Sequence, residues 1–286
     1  MLMMKSIWAA ALGLLISANA ALAADLSLKA PRAAVTAAYD WTGFYVGGNV
    51  GYGWGEGTNP AISSVDPGGA SGIGRFLSPA GFGPGFSTGN IYPGLNPSGA
   101  FGGLQFGYDK QFGNWVFGAV TDIQAANFKS SGVAFTDAAA TCCNVTESIS
   151  AKIDWFGTLR AKAGLAANDW LFYGTGGLAY GHTSSSLGFS CTPGGVGCAA
   201  ATINYVGNQS DVKVGWAAGA GISKAFGSWN VGVEYLHIDL GRASVTATST
   251  TGFFTTTTVT ASQRFIEDMA RLTVNYKWGG PVVAKY

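Results

Sequence analysis

The sequence predicts an all-β fold, an antiparallel up-and-down sheet of eight strands closed into a barrel, and three observations carry that expectation. Glycine supplies 44 of the 286 residues. Each interior glycine costs a helix about 1 kcal/mol relative to alanine, which argues against a mostly helical chain. Eight segments alternate apolar and polar residues with a period of two, the mark of strands whose two faces meet different surroundings. The connections between these segments alternate between short and long. Aromatic residues make up 13% of the chain, too many for a disordered polymer. Only 11% is charged, with 16 basic and 15 acidic residues, so no basic footprint points to nucleic acid.

The chain opens MLMMKSIWAAALGLLISANAALAAD. Lys5 precedes an apolar stretch over 7–16, and Ala21-Leu22-Ala23 has the small-x-small form of a cleavage site. Ser17 and Asn19 interrupt the stretch, leaving it short of the roughly 20 apolar residues of a spanning helix. Residues 1–23 therefore read as a signal peptide, and the product is exported to an oxidising compartment.

The strands follow in order. WTGFYVGGNVGYGW puts Phe44, Val46, Val50, Tyr52 and Trp54 on one parity, with Tyr45, Gly47, Asn49, Gly51 and Gly53 on the other. AFGGLQFGYD sets Ala100, Leu104, Phe106 and Tyr108 against Gly103, Gln105, Gly107 and Asp109. The third, over 115–124, sets Phe117, Ala119 and Ile123 against Gly118, Asp122 and Gln124. AKIDWFGTLRAKA sets Ile153, Trp155, Leu159 and Ala161 against Asp154, Thr158, Arg160 and Lys162. WLFYGTGGLAYG, KVGWAAGAGISKAF and WNVGVEYLHID are the fifth to seventh. ARLTVNYKW closes the series, with Leu272, Val274, Tyr276 and Trp278 opposing Arg271, Thr273, Asn275 and Lys277.

Short links over 111–114, 164–169 and 227–228 alternate with long ones over 55–97, 129–147, 183–210 and 241–262. A soluble sandwich shares the period, and tryptophan separates the two possibilities. Trp115, Trp170 and Trp229 each follow a short link, and Trp278 ends the last strand. Trp54, Trp155 and Trp216 lie towards the long-loop ends. These seven share the apolar parity, whereas Trp41 does not. Two rows of outward indoles are the interfacial girdles of a membrane barrel. The expected protein is an eight-stranded transmembrane β-barrel of an outer membrane, with short periplasmic turns and long extracellular loops. Its parts are a signal peptide (1–23), a periplasmic N-terminal segment (24–40), the barrel (41–278) and a C-terminal tail (279–286).

If the apolar parity faces lipid, the charged parity faces the lumen. Gln105, Asp122, Arg160, Glu234 and Arg271 lie about five to eight residues in from the short-turn side, within roughly 10 Å of one another in height at about 3.3 Å per residue. Burying them unpaired would cost several kcal/mol each, so they are expected to pair as a lumenal charge layer. Such a layer either lines a narrow pore or plugs the barrel. An eight-stranded interior is just wide enough for its own side chains, which favours the plug. His182 and His237 lie near the outer strand ends, and His237 shares a face with Asp239. His237 falls on the lipid-facing parity with Tyr235, and no particular serine stands out as a nucleophile, so no enzyme is expected. Cys191 and Cys198 bracket the Gly/Pro-rich CTPGGVGC and are a disulfide candidate, while Cys142 and Cys143 are adjacent. No histidine accompanies either pair at metal-ligand spacing, and neither metal nor cofactor is expected.

The stretches YDWTGFYVGGNVGYGWG, GGLQFGYDKQFGNWVFGA, DWFGTLRAKAGLAANDWLFYGTGGLAYG, VGWAAGAGISKAFGSW and LTVNYKWGGPVVAKY resemble the alphaproteobacterial outer-membrane immunogenic, or porin-like, surface proteins. The resemblance implies an abundant, surface-exposed eight-stranded barrel with no catalytic motif; members are often called porins and some are credited with haem binding. Val120, inward where an acid would be expected, and the paired cysteines depart from it. The expected role is structural, in the envelope, with a narrow porin or a loop-borne receptor or adhesin (haem, phage or host surface) as alternatives. Expected partners are outer-membrane lipid, lipopolysaccharide and the barrel-assembly machinery, and a homo-oligomer is compatible with the sequence. Trp278 and Tyr286 are the two candidate C-terminal assembly signals.

Overall fold

The computed structural model describes residues 39–56, 60–65, 95–137, 143–193, 203–250 and 258–278. Among these, alternation becomes nine strands: β1 (Gly43–Gly55), β2 (Ala61–Val65), β3 (Ser98–Phe112), β4 (Trp115–Asp137), β5 (Cys143–Ala167), β6 (Trp170–Pro193), β7 (Ile203–Phe226), β8 (Trp229–Ser249) and β9 (Thr258–Lys277). Each barrel strand pairs antiparallel with the next, and β1 pairs with both β3 and β9, which closes eight strands into a barrel. Closure removes the sheet edge around the turn-side part of the wall, the condition for spanning lipid with strands. Farther up, the β7–β8 ladder is interrupted between the pairs Val206–Thr248 and Trp216–Asp239. The short β2 is an addition. It continues the edge of β1 upward along β9, from Ala61 opposite Ser262 to Val65 opposite Thr258. It lies in the 55–97 link, where the sequence shows no alternation long enough to announce it.

Three two-residue turns sit at one end, closed by the pairs Phe112–Trp115, Ala167–Trp170 and Phe226–Trp229. The first turn residue has positive φ in each case: Gly113 at 61°, Asn168 at 57° and Gly227 at 63°. Tight hairpins require that conformation, which glycine and asparagine adopt most readily. Every turn therefore delivers a tryptophan at the first position of the returning strand.

The strands overrun the segments read from the sequence. β5 has 25 residues and β6 and β7 have 24 each, whereas a tilted strand crosses a bilayer in about 9–11. Since the turns at one end are tight, the excess lies on the other side, and much of the links over 129–147, 183–210 and 241–262 is strand. The reason they read as loops is a reversal of polarity. Near the turns, Leu159, Phe172, Leu178, Val233 and Leu272 point outwards and polar residues point in. Above the upper tryptophans, Ile149, Leu187, Phe189, Tyr205, Val245 and Val259 are buried in the interior. Ser148, Ser210, Ser244, Thr246 and Thr248 of those stretches are exposed on the outward face, while Thr183 and Ser185 are buried.

One strand also departs from its expected parity. Ile153 was expected on the lipid side and Asp154 in the lumen. The β5–β6 register runs Ile153–Thr183 and then Trp155–His182, leaving Asp154 as the extra residue of a bulge. The bulge turns Ile153 into the core at 1% exposure and brings Asp154 out beside Lys152 and His182.

Candidate functional site

Four of the five expected lumenal residues meet in one cluster. Arg160 Nη2 donates to Asp122 Oδ2 at 2.9 Å and Nη1 to Glu234 Oε1 at 2.5 Å. Arg271 completes the ring, with Nη2 3.0 Å from Asp122 Oδ2 and Nε 2.8 Å from Glu234 Oε2. Thr158 donates to Asp122 Oδ1 at 2.7 Å and accepts from Arg160 Nε at 2.9 Å, while Thr175 Oγ1 accepts from Arg160 Nη1 at 2.7 Å. Both guanidinium groups are fully buried. Two cations and two anions in one dry layer cancel in charge and fill most of each other's hydrogen-bonding capacity.

The fifth residue, Gln105, stands in a neighbouring chain of amides. Its Nε2 donates to Asn275 Oδ1 at 2.6 Å, and Asn275 Nδ2 donates to Asn230 Oδ1 at 2.8 Å. Val120, opposite Arg160 in the β4–β5 register, is buried and packs the wall without adding charge.

A second buried ion pair, outside the expected layer, lies towards the turns. Lys162 Nζ is 2.6 Å from Asp109 Oδ2 and sits 4.9 Å and 5.2 Å from the ring centroids of Tyr45 and Tyr173. Both charges share the inward parity with Arg160 and Gln105, so the signal was present in the alternation.

The turn-side mouth is closed by aromatic residues. Trp41 is buried, with Tyr39 packed edge-on at 4.9 Å, and its backbone N–H donates to Gln111 Oε1 at 2.8 Å. Burial pushes the Tyr39 phenol up to about 12. Lys277 reaches the backbone carbonyl of Asp40 and covers the Tyr39 ring. At the other end Phe101, Phe128 and Phe156 meet with centroids 5.4–5.9 Å apart, above the charged ring. The void between the charge layer and the lower lysine is about 20 Å³, room for about one water molecule.

Six of the seven tryptophans expected to form a girdle are exposed on the outer wall. Trp115, Trp170, Trp229 and Trp278 stand outward on the turn side, and Trp54 and Trp216 on the other. Trp155, half-buried, stacks on His182 at 6.2 Å. His237 faces outward beside Trp216 and bonds Asp268 at 2.7 Å. Cys191 lies on β6, and the side chain of Cys191 together with Cys198, Cys142, residues 1–23 (expected to be a signal peptide) and Tyr286 lies outside the described residues.

A closed antiparallel sheet with an apolar outer band, two rows of interfacial tryptophan and a polar lumen is an outer-membrane β-barrel. Residues 10–265 match the family described as "Outer membrane protein beta-barrel domain", and the chain belongs to it. It is 32% identical over 248 residues to the 31 kDa outer-membrane immunogenic proteins of Brucella melitensis biotype 1 and Brucella suis biovar 1, a match spanning 85% of this chain and 90% of each relative. Among solved structures it is similar to the outer membrane protein OprG of Pseudomonas aeruginosa, at 13% identity and a TM-score of 0.40 over 84% of this chain and 98% of that one. The protein resides in the outer membrane.

Proposed function

We propose that this protein is a closed structural barrel of the envelope, presenting its extended strands and loops at the cell surface while its lumen stays plugged. The observation that carries the reading is the Asp122–Arg160–Glu234–Arg271 ring, which crosses the lumen between an aromatic mouth and a phenylalanine layer. A solute would have to break several charge-assisted bonds inside a low-dielectric space, and the void beside the charge layer is about one water in size. The immunogenic relatives agree with a role at the surface. The test is single-channel recording on protein refolded into planar bilayers. Silence at high protein load is the expected result, and discrete conductance steps from a correctly folded sample would return the narrow-porin reading to first place.

A further inference from the structure

We propose that Ser210, His182 and Asp154 form an ester-hydrolysing site on the outer wall of the barrel, directed at an acyl ester of an outer-leaflet lipid. The three residues come from neighbouring strands, β7, β6 and β5. Ser210 Oγ lies 2.8 Å from His182 Nε2, and His182 Nδ1 lies 3.3 Å from Asp154 Oδ2. The order of partners on the ring matters. A carboxylate at Nδ1 holds the proton there and leaves Nε2 as the acceptor facing the hydroxyl, the arrangement that activates a serine. Asp154 reaches this face only because of its bulge, a device that re-aims side chains. The imidazole plane is fixed by stacking on Trp155 at 14°, and Lys152 holds Asp154 from its other side.

The surroundings name the substrate class. Above Ser210 is a polar hollow of about 350 Å³, lined among others by Ser150, Lys152, Ser184, Ser186 and Asn208. Below it on the same strand face, Val212, Val214 and Trp216 are exposed towards the lipid. A serine at the meeting of a polar hollow and an apolar wall, at girdle height, stands where a lipid joins headgroup to acyl chain. Acylated sugar lipids and glycerophospholipids share that ester.

Ser210 Oγ forms a bond to the ester carbonyl carbon as its proton passes to His182 Nε2 and the carbonyl π pair moves to oxygen. Ser184 Oγ, 3.2 Å from Ser210 Oγ, is placed to donate to that oxyanion. Collapse breaks the carbon–alkoxide bond, and His182 returns its proton to the departing alcohol. Water then adds to the acyl-serine, giving its proton through His182 to Ser210 Oγ and releasing the carboxylic acid. The balance is ester plus water to acid plus alcohol. The sequence showed no particular serine as nucleophile; the cross-strand register supplies one.

The test uses the full chain folded in vesicles and a fluorophosphonate probe, with heat-modifiable gel mobility confirming that each variant is folded. The expected result is a single adduct mapped to Ser210, lost in Ser210→Ala and slowed at least about a hundredfold in His182→Ala, as expected for removing a general base. Asp154→Asn is expected to slow labelling as well. Fatty-acid release from phosphatidylethanolamine vesicles would identify the glycerophospholipid source. Release only after addition of lipopolysaccharide would identify the acylated sugar. Folded protein without an adduct at Ser210, or fatty-acid release undiminished in Ser210→Ala, would overturn the proposal.

Discussion

Arg160 and Arg271 each contact both acids of the lumenal ring, so neither can be removed without stranding a buried carboxylate. Arg160→Ala is expected to lower unfolding stability by about 3–5 kcal/mol, the usual cost of breaking a buried pair from one side. Urea unfolding in detergent measures it, and an unchanged midpoint would show that the ring is dispensable. Glu267 is the opposite case. It is 1% exposed and neither carboxylate oxygen has a hydrogen-bond partner among the described residues. Replacing it with leucine relieves the burial of an unsatisfied group at similar volume, so Glu267→Leu is expected to stabilise the barrel by about 1–3 kcal/mol in the same assay. Membership of the charge layer was legible in the sequence, because inward parity and distance from the turns are both readable along one strand. Which partners each residue takes was not. Gln105 shares parity and approximate height with the ring yet bonds an amide chain, since shear decides which inward neighbours meet.

At the scale of the strand, the bulge at Asp154 sets what the upper half of β5 presents to each side. Parity read from the turn upward holds through Trp155 and then slips by one, so Ile153 and Asp154 exchange their expected faces. No residue in IDWF announces the slip, because its cause lies in the pairing with β6 and β4 rather than in local preference. Deleting Asp154 removes the extra residue and makes Ile153 and Trp155 neighbours on opposite faces, so plain alternation keeps Ile149 and Ile153 in the core and Lys152 outside. The expected outcome is a folded barrel in which β5 keeps its amide protection along its whole length, measured by hydrogen exchange. Loss of protection confined to the outer half of β5 would mean that the bulge itself holds the pairing there. The hairpins were the easier part: Gly-Asn, Asn-Asp and Gly-Ser between apolar runs state their geometry in the sequence.

For the molecule as a whole, the fold was legible because lipid and lumen impose opposite chemistry on alternate residues over the lower half of every strand. The length of the barrel was not, because above the upper tryptophans the alternation persists with its meaning reversed. Interior positions there are Ile149, Leu187 and Val245, while outward ones are mostly serine, threonine and asparagine. This predicts two environments along one wall. With the native cysteines replaced by serine, a nitroxide on Leu178→Cys should relax with oxygen dissolved in the bilayer. One on Asn208→Cys should relax with a water-soluble nickel complex. Oxygen-dominated relaxation at both sites would place the whole strand in lipid.

The reversal also works as a draught mark on a hull. Sinking the barrel by a pair of residues would drive Lys152 and Ser184 into hydrocarbon, and lifting it would strip lipid from Leu159 and Leu178. Either displacement is opposed around the whole circumference at once, so the molecule sets its own waterline, and whatever stands above it is held at a fixed height over the cell.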